Sequence, residues 1–202
     1  MKKCLILNIV LSIILFLSVD VKGQDINYLN KELFKAIQNS DIDKISRLIR
    51  QGANVNESPE DIPLTPLSLA IANGKSEIVK LLIDNGANIF EENGGATRLH
   101  ALISVAFFGR EEKELASEYV KIGKLLIDKG VDVNKEDSHG STPLHYAATF
   151  CLPEIVRLCL NNGATPNVRD NSGKTALERA KERSCSKVVK ILSNVQTLHK
   201  KK

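Results

Sequence analysis

Charge of one sign, aromatic rings and cysteine are all scarce in this 202-residue chain. The formal net charge is +4. Lys2, Lys3 and Lys22 against Asp20 account for +2 of it near the start, and Lys200, Lys201 and Lys202 add +3 at the end. The body between is close to neutral, with Lys and Arg interspersed among Asp and Glu in the manner of solvated helix faces, so nucleic acid is not an expected partner. Four cysteines are present, and Cys151, Cys159 and Cys185 stand 8 and then 26 positions apart. No zinc-ligand pattern has those spacings. A Gly-x-Ser-x-Gly elbow, a phosphate-cradling glycine loop and an isolated carboxylate pair are also missing, so neither catalysis nor a metal or other cofactor is expected.

Only one long apolar run occurs. Cys4 to Val19 is interrupted by Asn8, Ser12 and Ser18, follows the basic Met1-Lys2-Lys3, and leads to the small-residue stretch Val21-Lys22-Gly23. This reads as a secretory signal peptide over 1–23. The run is shorter than the roughly 20 residues of a spanning helix. Export to a bacterial periplasm or beyond is the expectation; the alternative is a membrane-tethered scaffold whose N-terminal segment stays attached.

What the chain does have is repetition. Thr142-Pro143-Leu144-His145-Tyr146-Ala147-Ala148 is followed by Ile155-Val156-Arg157-Leu158 and then Asn162-Gly163-Ala164. Leu64-Thr65-Pro66-Leu67-Ser68-Leu69-Ala70 precedes Ile78-Val79-Lys80-Leu81-Leu82 and Asn85-Gly86-Ala87 in the same order. Thr142 to Thr175 spans 33 positions and Thr65 to Thr97 spans 32. A period near 33 around a Thr-Pro-Leu-His-x-Ala core resembles the ankyrin-repeat family. The resemblance covers about Leu29 to Asn194 and implies an all-α solenoid of stacked helix-turn-helix units joined by short finger loops. The domain runs over 24–194, with units at about 29–61, 62–93, 94–138, 139–171 and 172–194. A basic disordered tail, 195–202, is expected after them.

Each recurrent word also has a local cause. Thr caps a helix N-terminus, Pro suits the first turn, and Gly accepts the left-handed conformation that ends the second helix. Leu67, Leu69, Ala70 and Ile71 face inward on one short helix; Ile78, Val79, Leu81 and Leu82 form the stripe of the next. Helices this short bury their faces only against neighbouring copies. His100 and His145 belong to the repeated word and are expected to hydrogen-bond beside the capping Thr.

The third unit departs from the pattern. Thr97 to Gly130 spans 33 positions, against 21 for Thr65 to Gly86 and for Thr142 to Gly163. The twelve extra residues fall at about 107–118. Leu115, Tyr119, Ile122 and Leu126 continue a helical stripe, which predicts a second helix longer by two to three turns, protruding opposite the finger tips, with a weak point at Gly123. Aromatics make up 4% of the chain. The adjacent Phe107 and Phe108, with Leu115, either close the extension against the stack or form an exposed anchor.

The resemblance implies that finger tips and first helices hold another protein on the concave face, and His139, Tyr146 and Asn171 are the candidate contacts there. A monomer is expected. Cys159 replaces a core Leu. Cys151 and Cys185 fall at equivalent inter-helix turns of adjacent units, which leaves two readings: a disulfide or two unlinked turn cysteines. Stacked units sit on the order of 10 Å apart, whereas a disulfide needs Cα atoms within about 7 Å. N-terminal sequencing of the processed chain is expected to begin at Gln24; an intact Met1 would favour the tethered alternative.

Overall fold

The computed structural model describes residues 26–59, 64–90 and 94–199. The proposed signal segment lies outside the described residues, as do Lys200, Lys201 and Lys202. Among the described residues there are ten helices and no strand. They are α1 (26–38), α2 (Ile42–Arg50), α3 (Pro66–Ala72), α4 (Ser76–Asp84), α5 (Arg98–Ala106), α6 (Lys113–Asp128), α7 (Pro143–Thr149), α8 (Pro153–Asn161), α9 (Ala176–Glu182) and α10 (Ser186–His199). From α3 onward each odd-numbered helix packs on the even-numbered helix that follows it. The odd helices α3, α5, α7 and α9 form one row, and α4, α6, α8 and α10 a second. One apolar core runs between the rows from Leu33 to Leu192.

Capping chemistry sets where the first helices begin. The Thr65 hydroxyl accepts from the Ser68 N–H, and Thr97, Thr142 and Thr175 form reciprocal capping boxes with His100, His145 and Glu178. The histidines do more than cap. Thr97 N–H and Thr142 N–H donate to Nδ1 of His100 and His145 at 3.1 and 3.2 Å, which places the ring hydrogen on Nε2. Nε2 then donates to the carbonyls of Ser141 and Lys174 in the next unit, at 3.0 and 3.1 Å. Each imidazole therefore joins a cap to the following repeat.

Asparagines join the other ends of the units. Asn56 donates to the Gly86 carbonyl and accepts from the Asn88 N–H, at 2.9 and 2.7 Å. Asn134 makes the same pair with Gly163 and Thr165. Between them, the equivalent position is Phe90, which lies exposed beside Gly130.

The extra residues of the third unit lie in the turn and in α6, which has 16 residues against 9 in α4 and α8. The extension does not protrude freely. The Tyr119 hydroxyl donates to the Ala72 carbonyl at 3.0 Å, and Glu118 accepts from both the N–H and the hydroxyl of Ser76. That carboxylate sits at the N-terminus of α4, whose own N-cap, Lys75, makes no side-chain cap. Leu115 lies against the turn glycine Gly74, which has φ +61°. Thus α6 clamps the second unit where the Asn bridge is lacking.

Two expectations are corrected, and one of two open readings is excluded. Gly123 is not a weak point: α6 is continuous through it, and a Cβ there would come within 2.8 Å of Leu158 and 3.1 Å of Leu102, so the glycine permits close helix packing. The segment 195–199 is helical rather than disordered, because the last unit lacks the Gly that ends the other second helices. The aromatics do not close the extension either. Phe107 packs on Phe150 of the next unit, while Phe108 is 83% exposed.

Gly74→Ala is expected to destabilise the fold by about 2 kcal/mol in chemical denaturation, through a left-handed φ and overlap with Leu115. A Cβ at Gly74 would lie 2.2 Å from Leu115 Cδ1. In a Leu115→Ala background the added loss should be smaller, because one of the two causes has been removed. Strictly additive losses would mean that Leu115 does not press on this turn.

Candidate functional site

Two finger turns are built on the same device. Asp137 Oδ1 accepts from the N–H groups of His139 and Ser141, both at 2.9 Å, and Oδ2 accepts from the Tyr146 hydroxyl at 2.8 Å. One unit later Asp170 Oδ1 accepts from Ser172 and Lys174, and Oδ2 meets Arg179 Nε at 2.7 Å. In both cases an aspartate folds the tip, and the residue four positions after the capping Thr ties the tip to its first helix. The tips are also tied together: Asn171 N–H donates to the His139 carbonyl at 2.9 Å and Asn171 Nδ2 to the Ser138 carbonyl at 3.2 Å.

Burial raises the pKa of the Asp137 carboxyl, but its hydrogen bonds from Tyr146, Ser141 and His139 outweigh this and leave it below its ordinary 3.8. Asp170 is lowered in the same way against burial, by Lys174, Arg179 and Ser172. Burial first, and then the bond to Asp137, push the Tyr146 phenol up to about 12. Tyr146 therefore remains a neutral donor at any ordinary pH.

His139, Tyr146 and Asn171, the three residues that the sequence nominated for this face, line one cleft of about 370 Å³ with Phe150 and Arg179. The Tyr146 hydroxyl is committed to Asp137, so only its ring is free to be offered. The His139 side chain is 82% exposed and faces solvent. Sequence reasoning missed Phe150, which continues the cleft into an aromatic band. Tyr146 and Phe150 have ring centroids 5.9 Å apart, Phe150 and Phe107 5.1 Å, and Phe107 and Phe108 5.4 Å. The His100 ring meets Tyr146 edge-on at 5.1 Å, and the Arg110 guanidinium lies 4.0 Å over the Phe107 ring. Alignment on the capping Thr does not reveal this pairing, since Phe107 stands ten positions after Thr97 and Phe150 eight after Thr142.

Other nominated residues are elsewhere. Leu115, on the first turn of α6, packs against Gly74 and Gly109 and takes no part in the band. Arg98, at the position where Thr65 and Thr142 are followed by Pro, reaches back so that Nη1 donates to Ser68 Oγ and Nη2 to Thr65 Oγ1. Cys151 and Cys185 have Cα atoms 5.3 Å apart and sulfurs at bonding distance. The turns approach more closely than the helix spacing suggested, because both cysteines stand where the chain reverses. Cys159 is buried, and burial raises its thiol to about 12. Among the described residues no group of His, Cys, Asp or Glu could hold a metal ion, and no helix is long and apolar enough to cross a membrane.

The depressed aspartates have a defined pH signature. A folded pKa below the unfolded one gives stability that is present above the unfolded value and lost as pH falls through the folded one. Thermal stability should therefore hold from neutrality down to about pH 5 as far as these groups are concerned, and fall below about pH 4. Asp137→Ala is expected to cost about 2 kcal/mol at pH 7, from buried donors left unpaired, and to flatten the acid limb. An unchanged acid limb would remove Asp137 from this account.

Comparison with known proteins agrees with the geometry. Family models described as ankyrin repeats match twice, three copies over residues 11–111 and many copies over 126–180. The first match begins inside the segment read as a signal peptide. Mouse SH3 and multiple ankyrin repeat domains protein 1 is 30% identical over 159 residues, which is 77% of this chain and 7% of that protein. Alpha-latrotoxin-Lg1a of Latrodectus geometricus is 25% identical over 144 residues, 71% of this chain and 10% of the toxin. E3 ubiquitin-protein ligase hecd-1 of Caenorhabditis elegans is 52% identical over 65 residues, 32% of this chain and 2% of the ligase. The chain thus spans a tenth or less of these relatives' lengths, too little to carry their activities across. Helix-turn-helix stacking, Thr caps bridged by histidine and aspartate-folded fingers all coincide with those matches, and the chain belongs to the ankyrin-repeat family of protein–protein interaction modules.

Proposed function

We propose that this chain is a non-catalytic, exported binding protein that holds a partner protein on its concave face. The observation that carries the reading is the aromatic band. Tyr146, Phe150, Phe107 and Phe108 form one run of ring contacts beside the His139 and Asn171 tips, and Phe108 leaves most of its ring in solvent. Aromatic anchors supply large contact area at low conformational cost, and exposed ones are characteristic of binding energy concentrated in a few residues. The tips add exposed polar groups on a rigid frame, since Asp137 and Asp170 hold their backbones.

Export is supported by the basic-then-apolar start and by the paired Cys151 and Cys185, because disulfides persist in oxidising compartments. The partner contacts are proposed for His139, Asn171, the ring of Tyr146, Phe107 and Phe108. Leu115 is withdrawn from that set because its side chain is spent on Gly74.

Affinity capture from the exported fraction tests the assignment. Phe108→Ser with His139→Ala should lower recovery of a specific partner by tenfold or more, in line with losses of ~1.4 kcal/mol or above at anchor residues. Lys121→Ala with Lys124→Ala, on the outer face of α6, should leave recovery unchanged. The reverse pattern would move recognition to the outer face of α6.

A further inference from the structure

We propose that the Cys151–Cys185 bond is a redox-operated clip that keeps the last repeat in the stack, and with it one wall of the binding cleft. Three independent observations point to it.

The first is how thin an apolar face the last unit buries. Its buried apolar residues are Ala176, Leu177, Ala180, Cys185, Val188 and Leu192, two of them alanine, and no further unit among the described residues covers α9 and α10. The fourth unit buries Leu144, Leu152, Ile155, Val156 and Leu158 besides its small residues, and it has a neighbour on each side. In a stack whose stability is a sum of nearest-neighbour terms, the unit that buries the thinnest apolar face opens first.

The second is the place of Cys151. It occupies the left-handed turn position between paired helices, with φ +59°. The equivalent positions are Ser40, Gly74 and Ser184, each also at positive φ. A residue with a Cβ is strained there and glycine is the unstrained choice, although serine stands at two of the three equivalents. At Cys151 the side chain has a partner that serine would lack: its sulfur lies across from Cys185, with Cα atoms 5.3 Å apart, and joins the turn of one unit to the turn of the next.

The third is access. Cys185 is buried, but Cys151 is half-buried and lines a cleft of about 380 Å³ between α6, α8 and α10, beside Arg110, Val120 and Lys187. An attacking thiolate enters there and strikes Cys151 Sγ; the S–S bond breaks and Cys185 leaves as the thiolate and takes a proton. A second thiolate then attacks the sulfur of the first, forming a disulfide with it and releasing Cys151 as a thiolate that takes a proton. In closure the two thiols lose two protons and two electrons to a disulfide-bonded oxidant, which departs as its dithiol.

The clip reaches the site because Ser172 and Arg179, which line the cleft that contains Tyr146, belong to the last unit. This consequence rests on the proposed concave binding site; the clip itself does not. In a reducing compartment the last unit frays and the cleft loses that wall, so binding is confined to oxidising surroundings.

Hydrogen exchange of the purified chain, oxidised and then reduced, tests the clip without any partner. Reduction should speed exchange in α9 and α10 by on the order of tenfold to a hundredfold and leave α3 and α4 unchanged. Cys151→Gly, which suits the turn, should show the fast exchange from the start and no response to reductant. Unchanged exchange in α9 and α10 on reduction, or free Cys151 and Cys185 in alkylation of the oxidised chain, overturns the proposal. Partner capture repeated with reductant then separates the two readings: fast exchange with binding retained would leave the clip standing and remove the last unit from the binding site.

Discussion

A helix of seven or nine residues cannot bury its own apolar face, and the whole molecule follows from that shortage. Every pair must lean on the next, so bonds between units matter more than bonds within them. The imidazole of the Leu-His word meets this need economically. One ring nitrogen accepts from a capping Thr N–H and the other donates to a carbonyl of the following unit, so helix initiation and stacking share a single side chain. Asn56 and Asn134 provide the second tie at the opposite end of their units.

The third unit shows what happens when one tie is missing. Phe90 stands where Asn56 and Asn134 stand in other units, and it makes no comparable bridge to Gly130. The insertion supplies replacements on the far side of the stack, through Glu118 on Ser76 and Tyr119 on Ala72. The turn before α6, which the same insertion lengthens, carries Phe107 against Phe150 at the end of α7, with Phe108 beside Phe107. A structural repair and a widened aromatic surface thus come from one stretch of chain.

Much of this was legible in the sequence. The period, the Thr caps, the inward Leu67 and Ile78, and the longer second helix of the third unit all follow from local rules of capping and helical spacing. That His139 and Asn171 stand on neighbouring finger turns, near Tyr146, was legible too, because finger positions are set by their offset from Thr142 and Thr175. Phe150 was not, since its importance depends on Phe107 arriving from another unit. Gly123 misled because a mid-helix glycine looks like a weakness until the Leu158 and Leu102 side chains that press on it are known.

What the sequence determined by itself was the repeat and its internal grammar, because capping, turn formation and apolar stripes depend on residues within about four positions of each other. What only the tertiary structure decided was which side chains meet across repeats. The 5.3 Å approach of Cys151 and Cys185, the seat of Leu115 on Gly74, and the commitment of the Tyr146 hydroxyl to Asp137 all depend on the angle and spacing at which units stack. Those are set by how whole buried faces pack, a property of summed side-chain volumes that no single motif carries.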